Sequence, residues 1–428
     1  MGASSRDESV PLTSIEICAG AGGQALGLHE AGFRHLALVE IDKNAHATLT
    51  KNIAKHADWG SCEALKEDLH KFEASRPMAA LGGRALRAGE LDLLAGGVPC
   101  PPFSVAGKQL GAEDERDLFP RMVELIDELQ PRAVMIENVR GIMDSKFDEY
   151  CNSIIAAIEG MNYWFCGWHL LEARNYGVPQ LRPRSIFVAI KEEERVKAGL
   201  GVEDFPWPVG VTTHRDNVFE ALEKSMAHRR DQLIEKFPDD ADAIENAYEA
   251  WCGMADKPDV VAPTLVGGSK KHGGADLGPS RAKAAWRDLG VNALGVADDI
   301  KRVKEVQREK HLMREFLREG PMLTVEQAAR IQSFPGGWKF EGGKTAQYRQ
   351  VGNAFPPPVA EAVGRAIASV LQPERREELL NGLRIEQLGA KRGRRGYRQG
   401  EIGELIDVSI AASAQASLDD HSSDLVGA

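Results

Sequence analysis

Ile15-Glu16-Ile17-Cys18-Ala19-Gly20-Ala21-Gly22-Gly23 is an apolar run that ends in a glycine-rich turn, and the amphipathic stretch Gln24–Glu30 follows directly. Strand, tight turn and helix in that order make a cradle for a nucleotide, because glycine lets the backbone approach the ligand closely. The next apolar run, Leu36–Glu40, ends in Val39-Glu40-Ile41-Asp42. An acid at this distance from the turn is what recognition of a ribose hydroxyl requires. Packing alone would also explain the glycines. With Glu40 in place, a nucleotide-like cofactor is the better reading.

Working outward, Leu91–Leu94, Ala133–Ile136 and Ser185–Ile190 are further short apolar runs. Between them lie helix-like stretches at Asn44–Lys55, Leu118–Leu129 and Asp148–Glu159. This alternation predicts parallel β-α-β units and an α/β fold with a doubly wound, Rossmann-like sheet. It stops near Lys191. From there to about Arg318 the chain is charged and irregular, with loop signals at Val266-Gly267-Gly268-Ser269 and His272-Gly273-Gly274. Helical periodicity returns at Thr324–Gln332 and Val359–Leu371. The expected organisation is a main domain of residues 12–190 plus 340–372 and a smaller inserted domain of 191–339. A C-terminal extension, 373–428, follows, its last part expected to be disordered.

Composition narrows the class. The chain has 428 residues, 43% apolar and 27% charged, ample to bury a core. No run of apolar residues is long enough to span a bilayer. Met1–Leu12 is polar and carries Asp7 and Glu8, so no signal peptide is expected. Cysteines 18, 62, 100, 151, 166 and 252 are scattered without a C-x-x-C pair, which argues against disulfide scaffolds and structural zinc. The expectation is a cytoplasmic protein without a metal. A net charge of −11 is unusual for a nucleic-acid binder, yet Val261–Gly320 holds twelve Lys+Arg against eight Asp+Glu. Lys391–Arg398 holds five basic residues and no acid, and the acids gather from Glu401 onward. Local basic faces therefore coexist with an acidic whole.

Three more motifs sit at predicted strand ends. In Gly96-Gly97-Val98-Pro99-Cys100-Pro101-Pro102-Phe103-Ser104 a cysteine stands on a stiff turn where α/β sheets place their ligands. In Met135-Ile136-Glu137-Asn138-Val139-Arg140-Gly141 one carboxyl leaves an apolar strand, a setting that raises its pKa and suits a general acid. In Gln180-Leu181-Arg182-Pro183-Arg184 alternate arginines share one face of an extended segment. Taken singly, a buried thiol, a solvated carboxylate and a surface arginine pair explain them equally well.

In this order, and with Arg330-Ile331-Gln332-Ser333-Phe334-Pro335 and Gln350-Val351-Gly352-Asn353-Ala354-Phe355-Pro356-Pro357 behind them, the motifs resemble those of the DNA cytosine-5 methyltransferases. The resemblance runs from Ile15 to Leu371, apart from the block between Lys191 and about Pro321. It implies methylation of cytosine C5 within a specific duplex sequence, as the modification enzyme of a restriction–modification system. The cofactor it implies is S-adenosylmethionine, leaving as S-adenosylhomocysteine. Cys100 resembles the nucleophile that attacks C6, and Glu137 the group that holds N3. Arg184, helped by Arg182, is similar to the group that steadies O2.

The implied cofactor set is Cys18, Ala19, Gly20, Gly22, Gly23, Glu40, Ile41, Asp68, Pro99, Asn353 and Ala354. Ser104, Gln180, Thr264, Arg281 and Arg287 are the implied DNA contacts, and Ser104–Phe119 resembles a loop that closes over DNA. The chain departs from many relatives at Pro101, where they carry Gln, and at Cys18, where they carry Phe. The partners implied are double-stranded DNA and a cognate restriction endonuclease acting separately, with the enzyme itself a monomer. Methylation of transfer RNA by the same fold, and a silent DNA-binding regulator, are the competing readings. The large variable block argues against the first and intact Cys100, Glu137 and Arg184 against the second. A nicotinamide dehydrogenase would leave every later motif idle. Lys391–Arg398 either touches DNA backbone or is a solvated tail.

Overall fold

β1 (Leu12–Ile17) is buried along both faces, which requires cover on two sides. The computed structural model describes residues 11–99, 117–213, 217–257, 260–267, 275–300 and 306–386, with backbone only at 306–310. In it β1 belongs to a seven-stranded sheet ordered β3 (Glu63–Leu65), β2 (Phe33–Val39), β1, β6 (Leu93–Gly96), β7 (Ala133–Val139), β9 (Pro183–Lys191), β8 (Tyr163–Glu172). A small hairpin, β4 (Pro77–Met78) with β5 (Arg84–Ala85), lies apart.

The alternation of apolar residues along the strands builds two cores. Leu93, Ala95, Ala133 and Met135 face a layer with α1 (Gly23–Glu30) and α12 (Pro357–Leu371). Leu94, Val134 and Ile136 face the opposite layer, with α3 (Phe119–Leu129) and α4 (Asp148–Gly160). α2 (Lys43–Ile53) follows β2, capped by the Asp42 side chain, which accepts from Asn44 and Ala45 N–H. The fold is the doubly wound α/β arrangement the sequence predicts, with one difference. β9 pairs antiparallel with both β7 and β8. The segment Ala173–Arg182 between β8 and β9 is too short for a crossover helix, so the two strands form a hairpin at the sheet edge.

The second region is helical rather than irregular. α6 (Val218–Lys236) and α7 (Ala241–Ala255) pack against α8 (Ser280–Asp288) and α9 (Val306–Leu317) through Leu222, Met226, Trp251, Trp286 and Phe316. α6 opens with a reciprocal cap: Glu220 N–H donates to the Asn217 side chain, and Asn217 N–H donates to the Glu220 carboxylate. α10 (Val325–Ile331) and α11 (Lys344–Asn353) carry the chain back to the sheet.

The sequence-based division at 191 moves. α5 (Glu192–Lys197) is followed by Phe205 and Trp207, which join the core under α12. β10 (Pro208–Val211) pairs with β11 (Leu383–Ile385), which follows α13 (Arg376–Leu380). Residues 192–211 and 373–385 therefore belong with the sheet, held by a pairing too distant in sequence to be read from it. Lys391–Arg398 and the terminal tail lie outside the described residues. Among the described residues no helix is long and apolar enough to cross a membrane.

Candidate active site

The C-terminal ends of β1, β2, β6 and β7 meet at one rim of the sheet, where an α/β fold leaves its ligand crevice. After β1 the chain turns through Cys18 and Gly20, both with positive φ (52° and 56°). Glu40, at the end of β2, locks this turn: its carboxylate accepts from Gly20 N–H and from Asp42 N–H, both at 2.7 Å. Burial pushes the Glu40 carboxyl up, and these backbone donors pull it back. Asp68 caps a short 3-10 turn by accepting from His70 N–H at 3.1 Å.

These groups surround a cavity of about 470 Å³. Every residue of the expected cofactor set lines it except Gly22, which packs toward Leu49 and Trp338 instead. Glu16, Glu67, Asn44, Arg349, Gln350 and Phe355 line it as well, none of them among the expected site residues. Helical periodicity could have found Arg349 and Gln350, which stand one turn before Asn353 on α11. Glu16 alternates with the apolar residues of β1, and its Oε2 is buried with no hydrogen-bond partner among the described residues. Burial, then the Glu40 and Glu137 charges, push its carboxyl well above the usual range. The Cys18 thiol is pushed up to about 12, chiefly by burial, so it stays protonated.

Glu137 closes the cavity at the end of β7. A Cβ on Gly97 would lie 2.9 Å from Glu137 Oε2, so the glycine leaves room for the carboxyl in this position. Arg184, from the facing β9, places Nε 2.8 Å from Glu137 Oε1, and the two side chains keep only 12% and 13% exposure. Burial raises the Glu137 pKa, opposed by Arg184 and then Arg182. Burial also lowers that of Arg184, opposed by Glu137. Asn138 donates to Val98 O at 2.9 Å and so fixes the turn leading to Pro99. Cys100 and Ser104 lie outside the described residues, as does most of Ser104–Phe119.

Two expectations are corrected. Arg182 does not pair with Glu137 as Arg184 does: it is fully buried, and its guanidinium donates to Leu265 O (2.7 Å), Gly352 O (2.6 Å) and Ala354 O (2.9 Å). Gln180 is equally buried, donating to Gln332 Oε1 (2.6 Å) and accepting from Leu265 N–H (2.7 Å). Side chains this deeply buried, and bonded to loop carbonyls and amides, are not presented to a DNA groove. Thr264 spends its hydroxyl on Leu181 O. Arg281 and Arg287 are exposed on α8, away from the cavity.

Residues 12–369 match the family of C-5 cytosine-specific DNA methylases. Over 364 residues the chain is 46% identical to Type II methyltransferase M.NaeI of Lentzea aerocolonigenes, covering 85% of this chain and 76% of that one. Type II methyltransferase M.NgoMIV of Neisseria gonorrhoeae is 42% identical over 371 residues, 85% of this chain and 99% of its own. Among solved structures, that of Spodoptera frugiperda DNMT2 has the same fold, with a TM-score of 0.51 at 16% identity over 83% of this chain and 99% of that one.

Proposed function

The chain belongs to the C-5 cytosine-specific DNA methylase family, and we propose that it acts through a covalent bond from Cys100 to C6 of the target base, assisted by Glu137 and Arg184. It is a methyltransferase acting at C5 of cytosine in DNA, of the restriction–modification type. The single observation that carries the residue roles is the enclosed Glu137–Arg184 pair, with Glu137 lining an acidic cavity that Pro99, the residue before Cys100 in sequence, lines as well.

The cavity fits the donor. Glu40, Asp42, Glu67 and Asp68 line it, with Arg349 as the one cation among the described residues. A ligand carrying a sulfonium and an ammonium, with ribose hydroxyls to donate, suits that excess of acceptors. Glu40 would hold the ribose, Asp68 and Ile41 the adenine side, and Cys18–Gly20 with Asn353 and Ala354 the remainder. Bound there, S-adenosylmethionine supplies an electrophilic methyl group and leaves as S-adenosylhomocysteine.

The protein's own groups do the rest. A cytosine within a duplex is out of reach, so the base is flipped out, at a cost of about a few kcal/mol. Cys100, as thiolate, adds to C6 and turns the ring into an enamine whose C5 is nucleophilic. Glu137, whose proton burial favours, donates to N3 and offsets the negative charge that would otherwise collect there. Arg184 holds Glu137 in place and presents its remaining N–H groups to O2. Loss of the C5 proton then expels the Cys100 sulfur. Arg281 and Arg287 contact the duplex. One flipped base needs one such unit, so the enzyme works as a monomer, with a separate cognate endonuclease as its counterpart.

The test is expression in a host lacking cytosine methylation, followed by base-resolution bisulfite sequencing of the plasmid. Methylcytosine confined to one short sequence is expected, and a blank from folded protein would overturn the reading. Cys100→Ser should lose all turnover yet keep cofactor and DNA binding. Methylation at the normal rate by that variant would remove Cys100 as the nucleophile.

A further inference from the structure

Arg182, Gln180 and Gln332 are corrected out of, or never entered, the reacting groups, yet they form a closed buried ring. From the backbone of Leu265 two routes lead to Ala354. Leu265 O accepts from Arg182 Nη1 at 2.7 Å, and Arg182 Nη2 donates to Ala354 O at 2.9 Å. Leu265 N–H donates to Gln180 Oε1 at 2.7 Å, Gln180 Nε2 donates to Gln332 Oε1 at 2.6 Å, and Gln332 Nε2 donates to the same Ala354 O. All three side chains are fully buried.

The two ends of the ring belong to different tasks. Asn353 and Ala354 line the cofactor cavity. Leu265 lies in the segment Ala262–Gly267, from which the chain runs on to α8 with its exposed Arg281 and Arg287. That segment is tied to Gln180 and Leu181 by a parallel bridge and by Leu181 N–H donating to Ala262 O at 2.8 Å. It also lies hard against α11. A Cβ on Gly352 would come within 2.6 Å of Gly267 N, and one on Gly267 would strike the Asn353 side chain.

We propose that this ring, with Arg182 as its central positioning residue, couples DNA readout to cofactor binding. The inference rests on the methyltransferase reading above. A charged fork that bonds carbonyls of both segments at once is stiff, and buried unmade bonds are costly, so the segments move together or not at all. A ligand that orders one end leaves less ordering for a ligand at the other, and the resulting cooperativity is reciprocal.

The experiment is calorimetric titration of S-adenosylhomocysteine into the full chain, free and saturated with a duplex carrying the sequence mapped by bisulfite. For the wild type the DNA-bound enzyme should bind about tenfold more tightly, within the usual range for such couplings. Arg182→Lys keeps a charge but cannot reach both segments. Its ratio should fall to about twofold or less, with the affinity of the free enzyme changed by less than about threefold. A residue needed for folding alone would weaken both affinities and leave the ratio where it was. Should Arg182→Lys not fold, Gln332→Met, which cuts only the second route, carries the test and should give an intermediate ratio. An unchanged ratio in the folded variant, or a wild-type ratio of one, overturns the coupling. Failure of the wild type to bind S-adenosylhomocysteine at all would instead strike the reading beneath it.

Discussion

Glu40 and Glu137 stand at the ends of β2 and β7, with β1 and β6 between them in one sheet, and line one cavity, but the protein holds them by different means. Glu40 is gripped by two backbone N–H groups, from Gly20 and Asp42. Glu137 has a guanidinium beside it and a glycine beneath. Backbone dipoles cannot move away or change charge, so they suit a carboxylate whose task is to stay put and accept. A side-chain cation balances a carboxyl whose proton must come and go. The difference separates a binding end of the cavity from a reacting end.

The largest effect should come from the reacting end. Glu137→Gln removes the acid while keeping the shape, and single-turnover methylation should slow by about 10²- to 10⁴-fold. Its affinity for S-adenosylhomocysteine should stay within about threefold of wild type. Because burial raises the Glu137 pKa, the protonated form persists to higher pH than in an exposed glutamate. If that form is the active one, the rate falls as pH rises through the raised value, and the fall disappears in Glu137→Gln. A variant that binds cofactor poorly but reacts normally once saturated would merge the two ends.

Glu40→Ala should show the opposite split. It strips acceptors from Gly20 and Asp42 N–H as well as from a ribose, and hydrogen bonds to charged groups contribute about 1.5–3 kcal/mol each. Cofactor affinity should drop by about 10- to 100-fold, with the single-turnover rate at saturation within about threefold of wild type. Equilibrium binding and single-turnover rates on the same preparation check both halves. An unchanged affinity would remove Glu40 from the binding end.

How legible each end was follows from the same physics. Glu40 and Glu137 interrupt apolar runs where strands leave the core, and Gly20–Gly23 and Gly97 mark the turns between. Such breaks in a periodic pattern can be read in one dimension. Gln180 and Arg182 carry the same polarity but sit fully buried, because loop carbonyls and amides of Leu265, Gly352 and Ala354 need partners there. Their environment is set by segments far away in sequence, so their polarity suggested a surface. The pairing of β10 with β11, which redraws the domain limits, was hidden for the same reason. α6 is different: its Asn217/Glu220 cap was in the sequence, but charged residues on the exposed face of the helix masked the apolar spacing.

The smallest effect concerns Glu16, which among the described residues has neither a backbone clamp nor a guanidinium. Its Oε2 has no partner among the described residues, and burial, with Glu40 and Glu137 nearby, raises its pKa well above the ordinary range. The folded state thus holds a proton that the unfolded state releases at about pH 4.3. Between those two values the folded chain binds more protons than the unfolded one, so stability declines as pH rises, by up to about 1.4 kcal/mol per pH unit. The stabilising contribution is complete below the unfolded value and is lost on passing upward through the folded one. Gln at this position cannot ionise and escapes that loss. Glu16→Gln should therefore melt close to wild type at pH 5 and above it at pH 8, with each kcal/mol regained worth about 2–4 °C. Thermal melts of both proteins across that range check it. A difference that stays flat with pH would mean that Glu16 titrates as an ordinary carboxylate. The cavity would then have two kinds of glutamate rather than three.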